Sequence, residues 1–230
     1  MPIIKDFFGL FFPRTCSICG EVLVGGEHEI CMSCLLSLPE AETAKSDDNF
    51  VKRRFVGRIP VEHATALLIF SRKSKAQRLL HQIKYMGNTD LAVTMGRQMG
   101  LLLAENRLYD DIDLLVPVPL HRRKERQRGY NQSLLLCQGI AQTFPRPIAD
   151  GNLRRIKHTE SQTHKNRVQR LENMKEVFSL DNPDAFRGKH LLLIDDVITT
   201  GATTEACWNA LKTAAPLRIS IAALAASGDM

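Results

Sequence analysis

Aromatic residues are scarce in this chain, 6% of the total, with one Trp and three Tyr. Proteins that hold single-stranded nucleic acid without reading its sequence stack the bases on aromatic platforms. Only Tyr85 and Tyr130 stand beside basic residues here, which argues against stacking but leaves phosphate contacts open. No apolar run approaches the roughly 20 residues that span a bilayer. The Phe-rich start, Met1 to Phe12, is short, is broken by Asp6 and is followed by no small-residue cleavage site. It does not read as a signal peptide; it reads as a hydrophobic lead-in packed on the main domain of a cytoplasmic protein. Internal repeats are absent, which removes solenoids and propellers.

What remains is the composition of a globular protein, 230 residues with 44% hydrophobic and 24% charged residues. That suits one α/β domain and a small appendage. The net charge of +6 is unevenly spread: His121 to Lys175 holds thirteen Lys/Arg and four Asp/Glu, a local +9, so the rest is about −3. A basic segment on a mildly acidic protein points to an anionic ligand, with pyrophosphate and single-stranded nucleic acid both eligible.

Four of the six cysteines are paired as Cys16-x-x-Cys19 and Cys31-x-x-Cys34. Each pair places two thiolates on one turn, and the spacer folds the second pair back over the first. This is the ligand set of a closed, structural Zn2+ site. Two disulfides are the competing reading, but a chain without an export signal keeps its thiols reduced. His28 within the spacer is expected on the surface, and Cys137 and Cys207 are expected as small buried hydrophobes.

The most informative stretch is Leu191-Leu-Leu-Ile-Asp-Asp-Val-Ile-Thr-Thr-Gly-Ala-Thr203. An unbroken apolar run reads as a strand buried on both faces. It ends in Asp195 and Asp196, followed by a Thr/Gly loop and a helix-forming stretch from Glu205 to Lys212. The carboxyl end of a parallel strand is where open α/β sheets bind ligands. The loop can offer N–H groups and hydroxyls to a phosphate at a helix N-terminus, and the carboxylates can take a ribose diol or Mg2+ through water. These residues match the 5-phosphoribosyl-1-diphosphate (PRPP) motif of type I phosphoribosyltransferases. That resemblance implies that the acidic pair meets the ribose hydroxyls and that Thr199, Thr200, Gly201, Ala202 and Thr203, after Val197, wrap the 5-phosphate.

A second strand, Leu114 to Leu120, runs into a basic loop, His121-Arg-Arg-Lys-Glu-Arg-Gln-Arg128, and then Gly129-Tyr130-Asn131-Gln132. By itself such a run is equally a solvated turn. In the same sheet, however, it opens onto the same crevice, where arginine forks suit phosphate oxygens. Helices are expected over Ser74–Tyr85, after a Thr89-Asp90 cap, and over Asn131–Gln142. Residues 41–60 read as an exposed connector. Lys84 and Tyr85 end a helix and serve either the site or the helix dipole.

The four-cysteine knuckle, Lys84-Tyr85-x-Gly87, the Pro-Val-Pro-Leu segment, Arg126-x-Arg-Gly-Tyr-Asn-Gln132 and the Asp-Asp-x-x-Thr-Thr-Gly loop, in this order along the chain, resemble the ComF family of competence-related proteins. The stretch from Gln162 to Phe178 adds to the likeness. The resemblance implies a type I phosphoribosyltransferase-like parallel sheet flanked by helices, a zinc-binding head (residues 1–60, with the connector) ahead of that domain (61–230), and a link to uptake of single-stranded DNA in natural transformation. It does not establish a reaction. Carried onto this chain, the candidate catalytic groups are Asp195, Asp196, Arg126 and Lys165. PRPP with Mg2+ would meet the acidic pair, the Val197–Thr203 loop, Arg122, Arg128, Lys84 and Tyr85. The polar segment His158–Arg170 is either a lid that closes over the sugar or an exposed linker. Two classes stay open: an enzyme that transfers phosphoribose, and a module that binds PRPP and engages single-stranded DNA or DNA-uptake proteins.

Overall fold

The computed structural model describes residues 13–156, 177–216 and 218–228. The lead-in, Met1 to Phe12, and the lid candidate with Lys165 lie outside the described residues. In chain order the helices and strands are α1 (Met32–Leu36), α2 (Phe50–Arg53), β1 (Ala64–Phe70), α3 (Lys75–Tyr85), α4 (Thr89–Ala104), β2 (Leu114–Pro117), α5 (Arg122–Arg128), α6 (Gln132–Thr143), β3 (Leu153–Arg155), β4 (Phe178–Leu180), β5 (His190–Ile198), α7 (Ala202–Leu211) and β6 (Arg218–Ser227). Four strands form a parallel sheet in the order β1–β6–β5–β2, and β3 pairs with β4 in a small antiparallel ribbon.

The apolar run of β5 is continuous because both its faces are covered. Leu192 and Ile194 enter a core with Leu79 and Ile83 of α3, Met95 of α4 and Leu136 of α6. Leu191 and Leu193 pack on the other side against Phe186 and the α7 residues Cys207 and Leu211. The neighbouring β6 supplies mostly alanines, Ala222, Ala223, Ala225 and Ala226, all buried. Parallel pairing of β2 with β5 brings the loops after both strands to the same end of the sheet.

Three expectations are revised. Residues 41–60 are not an exposed connector: Val51, Phe55 and Ile59 are buried in a third core with Ala64, Ile198 and Ile221. Their spacing of four residues is one face of a helical turn. The basic loop is instead a short helix, α5. His121 Nδ1 accepts the Arg123 N–H at 3.2 Å, and Gly129, at φ 84°, ends the helix with its N–H on Glu125 O. Long unbranched side chains lose little freedom in a helix, so a run of Arg, Lys, Glu and Gln between these caps winds up. Finally, α4 is capped by Asn88, whose Oδ1 accepts the Leu91 N–H at 2.9 Å, rather than by Thr89-Asp90. The same Asn88 donates through Nδ2 to Ser17 Oγ and Glu29 Oε2, each at 2.8 Å, and so ties the cysteine knuckle to the helical layer.

Candidate functional site

β5 delivers Asp195 and Asp196 to the carboxyl end of the sheet, both nearly buried at 8% and 9% exposure. Asp195 Oδ1 accepts the Asp196 N–H at 2.8 Å. Asp196 Oδ1 meets Lys84 Nζ at 2.9 Å, which brings the last turn of α3 into the site. Burial and the neighbouring Asp196 charge push the Asp195 carboxyl up to about 7, against the pull of its N–H bond and of Lys84 and Arg155. A carboxylate held this way gains from any ligand that brings a hydroxyl donor or a cation.

Directly after β5 come Thr199 and Thr200, both exposed, and then Gly201. Gly201 is the N-cap of α7 at φ 76° and has no side chain to cap it, while Thr200 Oγ1 accepts the Ala202 N–H at a long 3.4 Å. The N-terminal N–H groups of a helix without a capping side chain favour an anion. Gly201 is required twice over: its φ is left-handed, and a Cβ there would lie 2.7 Å from Phe55 Cε1. Phe55, Arg54 and Arg58 form a buttress that the sequence reading missed. Arg58 Nη1 donates to Thr200 O at 2.7 Å, and Arg54 Nη1 donates to Thr199 O.

The arginines of α5 part company. Arg128 lies over the Tyr85 ring, 5.4 Å from its centroid, and joins Lys84, Tyr85, Gly87, Lys124 and Tyr130 around a hollow of about 540 Å³. Arg122 lines a different hollow of about 360 Å³ with Asn131, Asp150, Arg154 and Arg155. Arg126 is exposed and is among the lining residues of neither.

The knuckle packs beside α3, whose first turn reaches it through Arg78 Nη1 on Ile18 O at 3.5 Å. The sulfurs of Cys16, Cys19, Cys31 and Cys34 all lie within 4.8 Å of one another, and Cys19 and Cys31 are 3.7 Å apart. Bonds of about 2.3 Å in a tetrahedron separate the sulfurs by roughly 3.8 Å, so the cluster fits Zn2+. Burial opposes ionisation of Cys16, yet N–H groups of Cys31, Cys19 and Ile18 aimed at its sulfur outweigh it and bring the thiol down to about 6. Burial and the neighbouring thiols push Cys34 up to about 12. Adding a divalent cation would resolve that crowding. Cys137 and Cys207 are buried and His28 is exposed, as expected.

With this geometry in view, the comparisons are specific. The phosphoribosyl transferase domain model matches residues 131–229. The DNA utilization protein YhgH of Salmonella typhimurium is 27% identical over 88% of this chain and 84% of its own. Competence protein F of Haemophilus influenzae is 31% identical over 54% of this chain and 56% of its own. The competence protein ComFC of Bacillus subtilis is 27% identical over 83% of this chain and 68% of its own. Together these relatives and the domain match support membership of the ComF family. The chain has the type I phosphoribosyltransferase-like fold, a parallel sheet flanked by helices, preceded by a four-cysteine cluster able to hold zinc. Among its described residues no helix is long and apolar enough to cross a membrane.

Proposed function

We propose that this chain binds PRPP with Mg2+ at the carboxyl end of β5, and does so in the cytoplasm in the service of single-stranded DNA uptake during natural transformation. One observation carries the first half. Two adjacent, nearly buried carboxylates, one paired with Lys84, stand directly before a helix N-terminus whose N-cap, Gly201, has no capping side chain. A ligand with vicinal hydroxyls and a phosphate answers both needs. Asp195 and Asp196 take the ribose hydroxyls, and the loop from Val197 to Thr203 takes the 5-phosphate. The hollow of Lys84, Tyr85 and Arg128 suits the pyrophosphate, with Arg122, Arg126 and Lys165 as further basic candidates. Mg2+ would supply charge neutralisation on the pyrophosphate. The four cysteines, from Cys16 to Cys34, hold a structural Zn2+ in a small head.

The names of the relatives, DNA utilization protein and competence protein, support the second half. With few aromatics, contact to DNA would run through phosphates. Its affinity would then fall steeply and log-linearly with salt; affinity indifferent to salt would count against it.

Calorimetry with PRPP and Mg2+ tests the site, with Asp195→Asn/Asp196→Asn beside wild type. Heat is expected from wild type alone. Equal affinity in a folded double variant would overturn the assignment.

A transferase reading is favoured by the Arg122–Asn131–Arg154 hollow, which leaves room for an acceptor. There the acceptor lone pair would bond to C1 as the bond from C1 to pyrophosphate breaks, and pyrophosphate would leave with that electron pair. Positioning and charge stabilisation would carry the step. Release of pyrophosphate with a trial acceptor separates this from binding alone.

A further inference from the structure

Thr199 and Thr200 have their carbonyls held from behind. Arg54 Nη1 donates to Thr199 O and, at 2.8 Å, to Ser227 Oγ at the end of β6. Its Nη2 donates to Ser227 O. Arg58 Nη1 donates to Thr200 O at 2.7 Å and to Arg54 O at 3.1 Å. A planar trans peptide points its C=O and N–H in opposite directions. Fixing the Thr199 carbonyl therefore aims the Thr200 N–H away from Arg54, and fixing the Thr200 carbonyl aims the Gly201 N–H away from Arg58. Among the described residues neither N–H has an acceptor. Successive N–H groups turned to one side, next to a left-handed residue such as Gly201 at φ 76°, make an anion-binding concavity. Phe55 presses on the other side of Gly201.

Arg58 has a second task. Glu205, in the first turn of α7, would compete with a phosphate for the positive end of that helix. Arg58 Nε binds Glu205 Oε2 at 3.1 Å, and Nη2 reaches the same oxygen. The carboxylate is thus both neutralised and held aside.

We infer that Arg54 and Arg58 are positioning residues of the phosphate loop: they act from behind on its carbonyls, aim the Thr200 and Gly201 N–H groups at a phosphomonoester, and in the case of Arg58 screen Glu205 from it. The inference rests on the PRPP reading of the site and extends it to a segment that carries none of the family's motifs.

The test compares Arg54→Met, Arg58→Met and Arg58→Lys with wild type, all checked for native circular dichroism. Affinities are measured for ribose 5-phosphate, for PRPP with Mg2+ and for inorganic pyrophosphate with Mg2+. Each Met variant is expected to lose roughly ten-fold or more for the two 5-phosphate ligands, as charged hydrogen bonds are worth. Pyrophosphate affinity should hold. Arg58→Lys should keep part of the loss from appearing. Adding Glu205→Gln to Arg58→Met should recover part of the affinity, which a general loss of stability would not do. Folded variants with the wild-type ratio of ribose 5-phosphate to pyrophosphate affinity would overturn the inference alone. Wild type that binds none of the three ligands would overturn the site reading, and the inference with it.

Discussion

At the amino end of β5, His190 is 1% exposed and both of its ring nitrogens are occupied. Nδ1 bonds Asp111 Oδ1 at 2.9 Å, Nε2 bonds Ser220 Oγ at 2.8 Å, and its backbone N–H reaches Asp113 Oδ2 at 2.7 Å. Asp111 is in turn paired with Arg218. At the carboxyl end of the same strand, Asp195 and Asp196 sit side by side, and Lys84 pairs with Asp196. The amino end has the Asp–His–Ser order of a hydrolytic triad, but Ser220 is fully buried and its oxygen also takes the His63 N–H. Nothing can reach it, so this network pins β5 to its neighbours. One strand thus carries a histidine with both ring nitrogens hydrogen-bonded where it needs only to be stable, and a crowded acidic pair where a ligand is to be held. Buried charge left short of partners is the mark of a binding site, and buried charge fully partnered is the mark of structure.

Removing the proposed zinc should have the largest effect, since metal binding at such a four-cysteine cluster is coupled to its folding. Chelation is expected to lower the melting temperature by about 10 °C or more. It should also weaken PRPP binding, because α3 contacts the knuckle at one end and carries Lys84 at the other. An unchanged melting curve would remove zinc from the picture.

The comparison of the two ends breaks next at His190. His190→Ala removes one partner each from Asp111 and Ser220 and opens a void, at a cost of about 2–4 kcal/mol in stability. PRPP affinity in the still-folded variant should stay within a few-fold of wild type. Denaturant melts with calorimetry measure both.

Asp195→Asn should do the reverse. A carboxyl whose pKa is raised by folding contributes stability that is complete below its ordinary value of 3.8 and is lost as pH rises through about 7. Above pH 7 the free variant is therefore expected to be more stable than wild type, by on the order of 1–4 kcal/mol. PRPP binding would collapse at the same time. A variant that loses both stability and binding would mean that Asp195 is structural like His190.

The smallest effect is the pH slope. Burial lowers the His190 pKa from 6.5. The unfolded chain then binds the proton first, and the folded state loses stability as pH falls through that region. Asp195 works in the opposite sense over part of the same span. Asp195→Asn should steepen the acid loss, and His190→Gln should flatten it. Melting temperatures from pH 8 to pH 5 read the difference.

The parts of the site that could be read in the sequence are those where chemistry is packed into a short stretch. Leu191 to Thr203 declares a buried strand, an acidic pair and a phosphate loop within one segment, and the four cysteines announce their cluster over Cys16 to Cys34. The helix spacing of Val51, Phe55 and Ile59 was also present, but the charges between them suggested an exposed connector. The basic segment was visible as charge; the division of its arginines between two hollows was not, because it follows from the winding of α5.

Local pattern therefore determined the strand–loop–helix unit, the parallel architecture and the metal-ligand set, since backbone periodicity and ligand spacing are properties of neighbours in the chain. Tertiary structure alone decided which partners those groups meet. Lys84 reaches Asp196 only because α3 packs beside β5, and Arg54 backs Thr199 across 145 residues of sequence. Contacts of that kind depend on how buried apolar faces settle against one another, and side-chain direction follows only once they have.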